Sequence, residues 1–256
     1  MSRVSLYNIK MDHRTKTIIL MTAKQLLPVQ KRGPVAVSNE ILLEAFEHVL
    51  WTGCPWRALT GLRSCKTFHN HYIKWCEYNI FKIAYKKILK LNNIGKRKST
   101  KYMCIDTTFV KNFYGRDYIG RNPTDRGRNA TKVSAIVTDN GTPVSLTLYP
   151  ANVSDTTTVN ESVNNILIDY ERMPMYGDKG YDSISNRIFL ETRNFIPNIG
   201  KRRIKTHFVT NRRRNIVERT FSWFDKCRRI IVRYDKYGDT FINWHWLASL
   251  RLLKWI

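Results

Sequence analysis

Apolar positions recur with a helical period through the first part of the chain. Ile41, Leu42, Ala45, Phe46, Val49 and Leu50 form one stripe after a capping candidate at Ser38 or Asn39, and Gly53-Cys54-Pro55 ends it. A second stripe joins Phe68, Tyr72, Trp75 and Cys76, and a third joins Ile80, Phe81, Ala84, Tyr85, Ile88 and Leu89. Three basic helices in this arrangement suggest a helix-turn-helix type bundle. The polar run Asn92 to Thr100 then reads as a linker. Beyond it the period changes to two. Tyr102–Asp106 reads as a strand ending in a carboxylate, and Lys132–Thr138 and Val144–Tyr149 flank the hairpin signal Asp139-Asn140-Gly141. Between them, 114–129 is rich in Gly, Arg and Asn and reads as a mobile basic loop. A helix capped by Ser154 or Asp155 is expected to present Val159, Val163, Ile166, Leu167 and Tyr170 on one face. A strand at Met173–Tyr176, a helix capped by Asp182 or Ser183, a strand at Phe195–Ile199 and a helix over Asn215–Cys227 follow. This alternation predicts an α/β fold, a mixed sheet flanked by helices. The organisation expected is a basic helical region at 1–91, a linker at 92–100 and a catalytic domain at 101–256.

Composition changes the picture through charge. The 256 residues carry 44 Lys and Arg against 20 Asp and Glu, a formal net charge of +24. A compact chain this positive repels itself unless a polyanion neutralises it, so nucleic acid is the first partner to consider. Hydrophobic residues make up 43% of the chain, enough for a core, which excludes disorder. No run approaches the roughly 20 apolar residues of a membrane span. A soluble protein is expected. The five cysteines contain no C-x-x-C pair, which suits a reducing compartment, and Cys65, His69, His71 and Cys76 lack the spacing of zinc ligands on a helix. Residues 1–100 and 201–233 are strongly basic, whereas most acids lie between them.

Three of the acids stand apart. Asp106 and Asp178 follow apolar strands, where ligand sites form in open α/β sheets. Glu218 is the only acid between Glu191 and Asp225. It falls on the side of its helix away from the apolar stripe, among Arg212, Arg213, Arg214 and Arg219. Singly, each has a bland reading: a turn cap for Asp178, a surface ion pair for Glu218. Together they suit two divalent metals about 3.5–4 Å apart, with basic residues for phosphate. Asp182, Asp139 and Asp155 read as helix caps or turn residues, and Trp223 and Phe224 as core.

At these residues the chain resembles a known family, the IS5-type transposases of the DDE class of insertion-sequence enzymes. The matching stretches, in order, are Trp51-Thr52-Gly53-Cys54-Pro55-Trp56-Arg57, Ile105-Asp106-Thr107-Thr108, Gly177-Asp178-Lys179-Gly180-Tyr181-Asp182-Ser183 and Val217-Glu218-Arg219-Thr220-Phe221-Ser222-Trp223-Phe224. The last leads into Arg228 to Asp235, and the likeness runs from about Leu26 to the apolar C-terminal segment. It implies an RNase H-like core in which Asp106, Asp178 and Glu218 bind two Mg2+ ions, with Mn2+ able to substitute. It also implies that Arg214, in Arg214-x-x-x-Glu218, is the family's conserved-motif arginine. Asn211 stands where related enzymes place a Tyr, and Asp225 where they place a basic residue, a role left to Lys226, Arg228 or Arg229. With Arg214 and Arg219 these are the DNA-binding candidates. The function implied is cleavage at the terminal repeats of the element and joining of the 3′-hydroxyls to target DNA, by a homodimer in a cytoplasmic, nucleoid-associated setting. Two other readings fit the same acids: an inactive transposase-derived DNA-binding protein, and an RNase H-like nuclease without strand transfer.

Overall fold

The computed structural model describes residues 11–28, 37–59, 64–96, 98–201 and 208–253, with side chains from 213 onward in the last segment. Helices α1 (His13–Leu26), α2 (Asn39–Thr52), α3 (Cys65–Glu77) and α4 (Ile80–Leu91) come first. Ser38 caps α2, and Gly53 closes it at φ 67°, a left-handed conformation that glycine adopts freely. The expected stripes of α3 and α4 are buried. Helix α1 was not expected, because most of its apolar residues form one short consecutive run, Ile18 to Met21, and not a stripe at helical spacing.

The sheet follows, with β1 (Met103–Asn112), β2 (Gly120–Arg121), β3 (Asn129–Thr138), β4 (Pro143–Pro150), β5 (Met173–Gly177), β6 (Phe195–Ile199) and β7 (Val232–Arg233). Its order is β4-β3-β1-β5-β6. β4, β3 and β1 are antiparallel, whereas β1, β5 and β6 run parallel. This is a mixed, RNase H-like sheet. Helices α5 (Asp155–Asn164), α6 (Ile184–Thr192), α7 (Phe208–Phe224), α8 (Arg228–Ile231) and α9 (Gly238–Leu252) complete the fold.

Several expectations are corrected. Strand β1 does not end at Asp106 but continues six residues beyond it, because the whole stretch pairs with β3. Both hairpin strands are buried along nearly their whole length, since α5 packs against both, α7 against β3 and α9 against β4. Helix α5 stops at Asn164, so Ile166, Leu167 and Tyr170 lie outside it. Ser154 and Ser183 are the caps, leaving Asp155 and Asp182 to pair with Lys132 and Arg187. The 114–129 segment is tied down at β2 and through Asp117, which pairs with Arg233.

Helix α9 is buried nearly all round, so its apolar content carries no stripe. It joins the two parts of the chain. Tyr72 stacks on Trp244 at 4.0 Å and donates to the Thr240 carbonyl, while Tyr85 donates to the Pro143 carbonyl. The helices before residue 92 and the sheet therefore share one hydrophobic core.

Candidate active site

The register of two parallel strands builds the centre of the site. Cys104 of β1 is aligned with Tyr176 of β5, and pairing between the strands stops there. Two residues further on, Asp106 stands within β1 and Asp178 directly follows the end of β5. β7 pairs with the same edge of β1 only from Lys111. Among the described residues the intervening edge of β1 has no strand partner, which opens the sheet beside Asp106. Gly177 permits the close approach, since a Cβ there would lie 3.1 Å from Ile105 and 3.3 Å from the Tyr181 ring.

Helix α7 crosses this opening. Ile216, Val217, Thr220 and Phe224 face the core, and the Thr220 hydroxyl donates to the Gly141 carbonyl at the hairpin turn. Near its start, Arg213 lies over the Tyr102 and Tyr176 rings and donates to the Tyr176 hydroxyl, which fixes the helix to β5. Arg214 is thereby directed between the two aspartates, 3.6 Å from Asp106 and 3.4 Å from Asp178. Its Nε is buried and has no hydrogen-bond partner among the described residues. Glu218, one turn later, is exposed.

Asp106 accepts the Thr107 N–H at 2.8 Å, and Asp178 accepts the Lys179 N–H at 2.6 Å, so the capping role considered for Asp178 is present as well. Burial pushes the Asp106 carboxyl up to about 6. The Thr107 hydrogen bond and the Arg214 charge oppose this, and the negative charges of Asp178 and Glu218 add to it. The three acids thus sense one another electrostatically across the opening.

Oxygen donors of this kind suit a hard divalent ion, which needs only one or two carboxylates when phosphate and water supply the rest. The position of Arg214, a cation shared by two carboxylates, shows that Asp106 and Asp178 converge on one point of positive charge. Among the described residues no three such ligands gather on one ion. The fit therefore rests on Asp106 and Asp178, with Glu218 nearby but turned outward.

The DNA-binding candidates separate. Arg219 is exposed and lies over the Trp223 ring, and Lys226 and Arg228 are exposed beyond the end of α7. Arg229 is corrected: its side chain is 9% exposed and paired with Asp235 at 3.0 Å, so it has almost no surface for DNA. Asp225 follows the last turn of α7 and lines a cavity of about 390 Å³ with Thr108, Lys111, Phe221 and His245. The side chains of Asn211 and Arg212, and residues 202–207 of the basic block, lie outside the described residues.

One group near the site was missed. Asp155, taken for a cap, accepts from Lys132 at 2.7 Å and from the Thr107 hydroxyl at 3.1 Å. Tyr181 lies fully buried close to both Asp106 and Asp155. A Lys within an apolar strand run was the available signal, because a buried ammonium requires a carboxylate partner.

Residues 98–253 match the model of the transposase DDE domain family. A Burkholderia cepacia protein described as a transposase for insertion sequence element IS402 is 34% identical over 134 residues, 49% of this chain and 64% of that protein. The aligned region thus spans less than two thirds of that relative. Among solved structures, the Mos1 transposase paired-end complex with left transposon end covers 88% of this chain and 65% of its own, at 12% identity and a TM-score of 0.31. The Mos1 strand transfer complex covers 84% and 69%, at 13% identity and a TM-score of 0.29. Overlays this loose bear no weight on the chemistry.

Proposed function

The chain belongs to the transposase DDE domain family, and from that premise we propose that it is a DNA transposase of the IS5 type. It would hydrolyse a phosphodiester at each end of its element and join the resulting 3′-hydroxyls to target DNA. The observation that carries this reading is the convergence of Asp106 and Asp178 on one cationic point, with Glu218 one turn beyond Arg214. Both reactions are in-line displacements at phosphorus, so a single centre serves both.

Asp106 and Asp178 would hold divalent metal, Mg2+ or Mn2+, with Glu218 completing a two-ion centre when DNA is bound. Such ions polarise the scissile phosphate and lower the pKa of the attacking water or hydroxyl. Arg214 neutralises the two aspartates in the metal-free protein, and its guanidinium fork suits a phosphate once they are otherwise engaged. Arg219, Lys226 and Arg228 would meet the DNA backbone beyond α7, supplying affinity rather than sequence information. Pairing of two element ends favours a homodimer, which sedimentation with end DNA bound would detect.

The test is cleavage of a labelled duplex carrying the terminal repeat, with Mg2+ or Mn2+, for wild type and Asp178→Ala. Metal-dependent nicking at the repeat boundary, absent in the variant and on scrambled DNA, is expected. Cleavage indifferent to the repeat would favour a nuclease. Tight binding without cleavage would make the protein a DNA-binding derivative, with Asp225 in the basic slot as the first suspect.

A further inference from the structure

We propose that Phe113, Tyr114 and Tyr234 form a stacking platform for unpaired nucleobases, at the end of β1 distant from the carboxylates. The proposal rests on the DNA-processing reading and adds a contact to it. The three rings are 62%, 64% and 45% exposed. Phe113 and Tyr234 are parallel within 4°, with centroids 5.5 Å apart, and Tyr114 lies 6.5 Å and 6.1 Å from them. Single exposed apolar side chains are ordinary on a protein surface, but a contiguous aromatic patch marks a binding site.

The platform is rigid. The Phe113 N–H donates to the Arg233 carbonyl at 3.0 Å, and the Arg116 N–H donates to the Lys236 carbonyl at 2.8 Å, so the two segments continue the β1–β7 pairing. Beneath them Arg233 is fully buried. It donates to the carbonyls of Asp117 and Asp235, to the Thr131 hydroxyl, and to the Asp117 carboxylate. A Cβ at Gly115 would lie 2.8 Å from the Arg233 guanidinium, so the turn carrying Phe113 and Tyr114 closes over it only with glycine. Rings held this way lose little freedom when a ligand arrives.

Charge decides the partner. Asp117 is engaged by Arg233, and Asp235 by Arg229. Lys111, Arg116 and Lys236 remain exposed around the rings. Flat aromatic faces bordered by cations match single-stranded nucleic acid, in which every base offers a π-face and the backbone follows positive charge. A protein partner would call for an interface core depleted of charge. Phe113 lies seven residues along the chain from Asp106, roughly 23 Å at strand spacing. The platform would thus grip DNA flanking the reacting phosphate, not the phosphate itself.

Fluorescence anisotropy with a labelled 15-nucleotide oligothymidine and a labelled hairpin duplex tests the proposal. For Phe113→Ala/Tyr114→Ala the single-strand Kd is expected to rise about 5- to 100-fold, with the duplex Kd changed less than about twofold, because phosphate contacts dominate duplex binding. Phe113→Tyr/Tyr114→Phe, which keeps both rings, is expected to restore single-strand affinity. Unchanged single-strand binding, or an equal loss on both DNAs, would overturn the platform. A lower oligomeric state by light scattering with DNA affinity unchanged would also overturn it, and would identify an interface between copies. If the wild type binds neither DNA, the DNA-processing reading falls instead.

Discussion

Asp106→Asn should make the metal-free protein more stable while removing its activity. Folding raises the Asp106 carboxyl from 3.8 to about 6, chiefly by burial, with Asp178 and Glu218 contributing. At neutral pH that corresponds to roughly 3 kcal/mol of destabilisation. For an acid whose pKa is raised in the folded state, the cost disappears only well below 3.8, where the group is protonated in both states. It grows between 3.8 and about 6 and is complete above. Asparagine keeps an oxygen for the Thr107 N–H but carries no charge. Arg214 loses one of its two counter-charges, which offsets part of the gain. The net expectation is about 1–2 kcal/mol of added stability at pH 7.5 and less than about 0.5 kcal/mol at pH 4. Urea unfolding in EDTA at both values measures it. Millimolar Mn2+ should then stabilise the wild type far more than the variant, since a ligand that binds only the folded state adds RT ln(1 + [L]/Kd). A variant equally or less stable than wild type at pH 7.5 would refute the reasoning.

Arg229→Ala should cost about 3–5 kcal/mol by leaving the buried Asp235 carboxylate without its counter-charge, held among the described residues only by the Trp244 indole N–H; thermal denaturation should show this, while the DNA affinity of the folded fraction stays near wild type. Gly177→Ala should destabilise by about 1–3 kcal/mol through contact with Ile105 and Tyr181, and cleavage assays should register the displaced Asp178 as a lower rate. Arg214→Ala should tighten Mn2+ binding by isothermal titration, because the competing cation is gone, yet slow cleavage; weaker Mn2+ binding would contradict the role given to that guanidinium.

Periodicity made the regular parts of the fold legible. The stripes of α3 and α4, the β3–β4 turn and strands β5 and β6 all lie where the alternation of apolar and polar residues places them. What escaped was set by tertiary packing. The sequence of β1 past Asp106 turns polar, yet its backbone stays in the ladder because β3 is there to pair with it. Helix α9 has no polar face to reveal a period, because α2, α3, α4, α7 and β4 surround it. Its burial also merges the helical region with the sheet, which the polar run at 92–100 concealed.

The site was legible residue by residue but not in its charge balance. The position of Asp106 and Asp178 after apolar runs marked both, and the parallel register of β1 and β5 explains why two acids 72 positions apart meet. The basic run before Glu218 and the resemblance both point Arg214 towards DNA; its place between the aspartates follows from α7 being pinned by Arg213 on two tyrosines, a contact between three distant segments. The same logic separates the surplus arginines. Arg229 and Arg233 each meet a nearby carboxylate inside the fold, so much of the basic charge around 228–233 is structural. The exposed cations are Arg219, Lys226 and Arg228 towards and beyond the end of α7, and Lys111, Arg116 and Lys236 around the aromatic rings. If the chain binds DNA as proposed, its net charge acts through these exposed side chains and not as a uniform field.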